Sequence, residues 1–304
     1  MAACIDAVAT TVPRWRRFHA GARQLADDAL AECLERAGRD ASDIDLLLNA
    51  GIYREDSLAE PALAAMIQED VGANPEPRTA RSTFSFDVAN GGAGVLSALE
   101  IASGFIAWQT VELAAIVASD SNPGVRAGFR FPNAGGALLL RPGPAGAGFC
   151  GFASQTFPEF ADRFESYIEW QTRTYTPPFA APGRNVPVLI EREDYGALAA
   201  SCGASVAQLL LDRSGLRASD VQLLVASTYP QTLADALARQ LSLGPERVAR
   251  PRPALVGAHT AGVLAALEGA WTSGQLAAAG QVLFVAVGAG ITAAAALYRP
   301  AASG

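Results

Sequence analysis

The sequence predicts an α/β protein made of two duplicated halves, on two observations. Short Val/Ile/Leu-rich runs alternate with Ala-rich amphipathic stretches, the pattern of strands covered on both faces by helices. The words of the first half also return in the second. Ala41-Ser-Asp-Ile-Asp-Leu-Leu-Leu-Asn-Ala recurs as Ala218-Ser-Asp-Val-Gln-Leu-Leu-Val-Ala-Ser, and Ala93-Gly-Val-Leu-Ser-Ala-Leu-Glu as Ala261-Gly-Val-Leu-Ala-Ala-Leu-Glu. The offsets, 177 and 168 residues, are nearly equal and the order is kept. Units this long are not solenoid repeats, so they imply two similar α/β domains about a pseudo-twofold axis.

Taken in order, residues 5–10 (Ile-Asp-Ala-Val-Ala-Thr) read as a strand, and 22–37 as a helix with apolar residues at helical spacing and Gly38 as its stop. Residues 44–50 carry three successive leucines, a strand buried on both faces. A helix follows over 60–71, ended by Gly72, then a strand over 83–88 with Phe84 and Phe86 alternating. Residues 94–105 read as helix and 113–118 (Leu-Ala-Ala-Ile-Val-Ala) as strand. In the second half the helices are 195–214, 233–241 and 262–272, and the strands 221–227, 282–287 and 293–299. The division is 1–149, an irregular connector over 150–187, and 188–304. The connector region holds Pro158, Pro177, Pro178 and Pro182, with nine aromatics from Phe149 to Phe179. Such a segment is a lid or interface element, or a loop packed on its own domain.

Composition narrows the chemistry. Half of the 304 residues are hydrophobic and 17% are charged, enough apolar material for a large core. The net charge of -7 argues against nucleic acid as partner. All 23 basic residues are arginines, which excludes Schiff-base catalysis, pyridoxal phosphate attachment and a P-loop lysine. With His19 and His259 the only histidines, a histidine-rich metal site is not expected. Cys4, Cys33, Cys150 and Cys202 are widely spaced and form no C-x-x-C pair, so they read as reduced, mostly buried thiols of a cytoplasmic protein. The apolar tract from Leu276 to Leu297 is broken by Gly280, Gln281, Gly288 and Gly290, which reads as strands and turns and not as a membrane span.

Three segments carry a family resemblance: Phe86-Asp-Val-Ala-Asn-Gly-Gly-Ala-Gly-Val, Leu241-Ser-Leu-Gly-Pro-Glu-Arg-Val, and the strand and Gly-x-Gly turn between Gly274 and Ile291. In this order they resemble the thiolase superfamily, specifically the ketoacyl-ACP synthase III branch. The resemblance implies a thiolase-like fold of five layers, αβαβα. In that family a cysteine at the start of the central helix is acylated, and a histidine and an asparagine assist decarboxylation and hold the thioester oxygen. Matching the family's F-D-x-A-x-x-C-A-G pattern puts Gly92 at the cysteine, with Ala93 next to it. Counting back from Leu241 puts Ser227 at the histidine, and from Leu267 puts Gly257 at the asparagine. The family's longer tryptophan- and arginine-bearing segment after the first strand is reduced to Pro13-Arg-Trp-Arg-Arg-Phe-His, so no cofactor is expected and a grip on CoA is in doubt.

The resemblance thus implies a non-catalytic ketosynthase III-like subunit. It would pair with an active homologue and shape acyl-thioester condensation in secondary-metabolite biosynthesis of polyketide or alkylquinolone type. Its partners would be that homologue or a second copy of itself, with acyl carrier protein or acyl-CoA as further possible partners. The family's dimers extend the central sheet, here expected through residues 113–118. Phe129, Phe131 and the aromatic connector would then shape the partner's acyl pocket. One alternative is a cysteine-independent acyltransferase using His259, which stands just before a helix N-terminus and could act as a base. Another is a small-molecule-binding homodimer. In either case a pocket lined by Gly92, Ala93, Ser227, Gly257, His259 and Gly288 is expected to be wide.

Overall fold

The computed structural model describes residues 1–13, 21–55, 60–74, 82–123, 128–171 and 184–301. The basic turn at 14–20, with Trp15 and His19, lies outside the described residues.

The apolar runs form two sheets of the same design. In the first, β1 (Ala3–Thr11), β5 (Ala134–Pro142), β4 (Ala114–Asp120), β2 (Leu46–Asn49) and β3 (Phe84–Asp87) lie in the order β1-β5-β4-β2-β3. In the second, β6 (Gly148–Thr156), β11 (Thr292–Arg299), β10 (Val282–Gly288) and β9 (Leu223–Ala226) lie in the order β6-β11-β10-β9. Each has a central parallel pair, β4 with β2 and β10 with β9. Each adds two antiparallel strands on one side, β5 and β1 or β11 and β6. The second half's counterpart of β3 is reduced to a parallel bridge from Val248 to Leu224.

Alternation of side chains across each strand sorts the core into layers. Leu46, Leu48, Ile116 and Leu138 face inward with Val225, Phe284 and Ala296, and between the sheets lie α3 (Gly94–Ala107) and α6 (Gly262–Thr272). Leu47, Val117 and Leu139 face outward onto α1 (Ala22–Ala37) and α2 (Leu63–Val71). Leu283, Val285 and Ala295 face outward onto α4 (Tyr195–Arg213) and α5 (Leu233–Gln240). A short α7 (Gln275–Ala278) precedes β10. This is the five-layer αβαβα arrangement. The two repeated words mark equivalent places: one enters β2 and β9, the other opens the buried helices α3 and α6.

Three sequence expectations are corrected. The helix expected from residue 60 begins at Leu63, because the Asp87 carboxylate accepts the N–H groups of Leu63 (3.0 Å) and Ala64 (2.9 Å) and fixes the first turn there. The connector expected to be irregular is largely strand. β6 completes the second sheet, and after a 3-10 turn at Pro158–Arg163, β7 (Phe164–Gln171) pairs antiparallel with β8 (Arg184–Glu191) as a separate hairpin. Residues 113–118 cannot extend the sheet to a partner, since β4 is hydrogen-bonded on both sides; the terminal strands of the sheet are β1 and β3.

Candidate functional site

Four segments meet where strands of the second sheet end, the place where open α/β folds put their sites. They are the entry to α3 (91–94), the loop after β9 (227–231), the entry to α6 (257–260) and the end of β10 (287–288). Ser227 Oγ accepts the Val287 N–H at 3.2 Å, and Thr228 Oγ1 donates to the Ala258 carbonyl at 2.9 Å. The structure therefore brings Gly92, Ala93, Ser227, Gly257, His259 and Gly288 into one neighbourhood.

At Gly92, Gly288 and Gly257 other atoms stand close to where a side chain would begin. A Cβ added to Gly92 would fall 2.3 Å from the Val287 carbonyl oxygen. One added to Gly288 would meet the Gly92 nitrogen at 2.9 Å and the Asn90 oxygen at 3.0 Å. The two glycines let backbone pack on backbone across the halves. Gly257, at φ +78°, is covered by Gln231, whose Nε2 would lie 2.9 Å from an added Cβ.

His259 stands beside these contacts in a box of aromatic rings. Its imidazole centre lies 5.1 Å from that of Tyr53, 5.3 Å from Phe131 and from Tyr229, and 6.0 Å from Phe164, on which it stacks at 22°. It is 6% exposed, and among the described residues its Nδ1 has no hydrogen-bond partner. Burial pushes the imidazole below its usual range, against the opposing pull of Asp120 and Glu191. This favours the neutral ring. Neighbouring contacts fix the box. Asp120, fully buried, accepts from the Thr260 N–H at 2.7 Å, the Thr260 hydroxyl at 2.6 Å and the Tyr53 N–H at 3.3 Å. The Tyr229 hydroxyl donates to Glu191, and burial followed by this carboxylate raises its pKa far above the phenolic range.

No cysteine stands on the four segments. Cys4, Cys33 and Cys202 are buried in β1, α1 and α4, and Cys150 is exposed on β6; all four are free. Burial raises each of the three buried thiols, Cys33 to about 12, so none is a thiolate at neutral pH. The Asp of the Phe86-Asp-Val segment has a structural task. Besides capping α2, Asp87 accepts from Asn49 Nδ2 at 3.1 Å and pairs with Arg54 at 2.5 Å. Burial alone would raise its pKa, but these donors together hold it below the usual carboxylate value.

Sequence reasoning missed the ring box. Tyr53, Phe131, Phe164 and Tyr229 come from four distant segments; the sequence reading has Phe131 and the aromatic enrichment around Phe149–Phe179 facing a partner's pocket, whereas Phe129 and Phe131 are buried within this chain.

Comparison with known proteins agrees with this architecture. Residues 211–300 match the family model described as 3-oxoacyl-[acyl-carrier-protein (ACP)] synthase III C terminal. No curated protein matches the sequence. Among solved structures, 3-oxoacyl-(acyl carrier protein) synthase III from Pseudomonas aeruginosa is similar at a TM-score of 0.78 and 21% identity, covering 100% of both chains. A priming beta-ketosynthase of a polyketide biosynthetic pathway is similar at 0.76 and 18%, covering 99% of this chain and 97% of that one. A Xanthomonas campestris OleA variant with bound lauric acid and lauroyl-CoA is similar at 0.78 and 12%, covering 98% and 99%. Along its length the chain thus has the thiolase-like fold of the 3-oxoacyl-ACP synthases III, and its residues 211–300 match that family's C-terminal model.

Proposed function

We propose that this chain is a non-catalytic ketosynthase III-like subunit, which pairs with an active homologue and shapes acyl-thioester condensation in polyketide- or alkylquinolone-type biosynthesis. One observation carries the reading: at the position matching the family's nucleophile, the space for a side chain is occupied by the Val287 carbonyl. A partner supplying its own cysteine makes this loss harmless.

The surface suited to the partner is the β3 edge of the first sheet. Among the described residues β3 has a ladder partner, β2, on one side alone, and the other side is a template for strand addition. Beside it Phe84 and Trp108 are 58% and 78% exposed, and a groove on α3 is lined by Ser97, Ile101, Gly104 and Phe105. Apolar side chains flanking a free edge are costly to leave in water, and a homologue presenting its own edge strand covers both. A second copy of this chain fits by the same geometry, and acyl carrier protein or acyl-CoA would enter through the active member of the pair.

The test is reconstitution. Adding this chain to a ketosynthase III homologue from the same organism should change the amount or chain length of condensation product and yield a stable mixed dimer. An unchanged product profile with no mixed dimer contradicts the proposal. A second reading, a cysteine-independent acyltransferase with His259 as base, is favoured by an imidazole shifted toward its neutral form and its unpartnered Nδ1. It requires thioester consumption by the isolated chain that is lost in His259→Ala.

A further inference from the structure

We propose that the β7–β8 hairpin is a pH-gated flap, latched over the aromatic box by the stacking of Phe164 on His259.

Among the described residues, which leave out 172–183 between the two strands, β7 and β8 pair only with each other. A two-stranded ribbon is marginal alone, so its place depends on what holds it to the body. Strand alternation puts Phe164, Ser166, Ile168 and Trp170 on one face with Leu189 and Glu191. At the body end of that face Phe164 is buried, stacked on His259 and packed on Tyr195 at 5.0 Å and Tyr229 at 6.1 Å. Two further ties fasten it. The Tyr53 hydroxyl donates to Ser166 Oγ at 3.2 Å, and the Tyr229 hydroxyl donates to Glu191. One tie reaches the first half of the chain and the other the second. Farther out the same face is unsupported, with Ile168 47% and Trp170 62% exposed.

His259 is the one member of this latch whose ordinary titration falls near neutrality. The charged and titratable groups facing it are Asp120 at the end of β4 and Glu191 at the end of β8. The hydroxyls of Tyr53 and Tyr229 belong to the rings of the box, and Tyr195 of α4 stands behind Phe164. Arg163 at the foot of the hairpin is engaged by Asp162 and Asp194 at 3.5 and 3.6 Å. Neither carboxylate makes a hydrogen bond to the imidazole: Asp120 is committed to Thr260 and Tyr53, and Glu191 to Tyr229. A proton added at His259 Nδ1 therefore has no direct acceptor among the described residues. The charge is relieved when the hairpin lifts and water reaches the ring. An imidazole of depressed pKa when closed and ordinary pKa when open binds its proton in the open state, so falling pH favours opening. The gain reaches up to about tenfold in open population per pH unit, starting below about pH 6.5.

The experiment is amide hydrogen exchange of the intact protein between pH 7.5 and 5, corrected for the intrinsic pH dependence of exchange. Amides of 164–171 and 184–191 should lose protection progressively below pH 6.5 while those of β10 and β11 keep theirs. His259→Phe, which keeps a ring in the box, should make the hairpin's corrected exchange flat with pH. Should that variant not fold, Glu191→Gln serves: with the Tyr229 tie weakened, exchange should be faster at every pH and its slope below 6.5 should remain. Flat corrected exchange in the unmodified protein, or loss of protection in β10 and β11 in parallel with the hairpin, overturns the proposal.

Discussion

Replacing Gly92 with cysteine is the perturbation whose outcome the structure constrains most. It restores the residue type that the family's pattern has at this position. The new Cβ would stand 2.3 Å from the Val287 oxygen, so reaching even the 3.0 Å limit of real Cβ contacts requires a shift of about 0.7 Å. Neither side can yield freely. Val287 is paired with Ala293 in the ladder and its N–H is held by Ser227. On the other side, two residues after Gly92, a Cβ at Gly94 would meet the Ala50 side chain and carbonyl at 3.3 Å, so α3 cannot back away without pressing on the residue that follows β2. Overpacking of this kind costs about 1–3 kcal/mol. Gly92→Cys and Gly92→Ala should therefore both lower stability by about that amount in urea titrations with unchanged m-value. The new thiol should be unreactive in the native protein and should take no acyl group from acyl-CoA. A Gly92→Cys protein as stable as the parent and acylated stoichiometrically would refute the reasoning.

Other expectations follow from the same contacts. Gly104→Ala on α3 meets nothing within 4 Å, so it should stabilise the protein by about 0.4–1 kcal/mol in thermal or urea unfolding, the opposite sign to Gly92→Ala. Asp87→Asn should cost about 1–3 kcal/mol, since a neutral amide replaces the acceptor of four donors. Because the folded Asp87 pKa is depressed, its contribution is present above about pH 3.8 and is lost as pH falls through the folded value, so the parent and the variant should converge in acid. Asp27 is displaced the other way, raised by burial and then by the neighbouring Asp70 carboxylate. Its contribution is present below pH 3.8 and is lost as pH rises through the folded value, so Asp27→Asn should raise the melting temperature at pH 8 and leave it unchanged near pH 4. Glu268, nearly buried in α6, accepts from Thr10 and pairs with Arg36 at 2.8 Å, joining β1 and α1 to the central layer; Glu268→Ala should destabilise by about 2–3 kcal/mol in urea titrations.

Most of the layering was legible because it rests on patterns a linear chain displays. α1 and α6 have the bounds their apolar spacing and following glycines indicate, and β10 and β11 announce themselves by unbroken apolar runs. β5 and β6 were missed. Ala134–Pro142 contains two glycines and no β-branched residue, and Gly148–Thr156 mixes glycine with serine and glutamine; both are strands because sheet neighbours pair with them. The hairpin was masked by prolines, although Phe164–Gln171 does alternate. The family resemblance, through its motif and counted offsets, assigned Gly92, Ser227, Gly257 and Gly288 to one place, yet it could not say whether their missing side chains leave a cavity. That depends on how closely Val287 and Gln231 approach, a distance with no signature along the chain.

The measurement that tests the central claim most directly is intact mass spectrometry of the isolated protein after incubation with a panel of acyl-CoA and acyl-carrier thioesters, with thioester consumption followed in parallel. The account predicts an unmodified mass and no consumption above the rate without protein. A stoichiometric acyl adduct, or turnover without one, would contradict it and make this chain an enzyme in its own right.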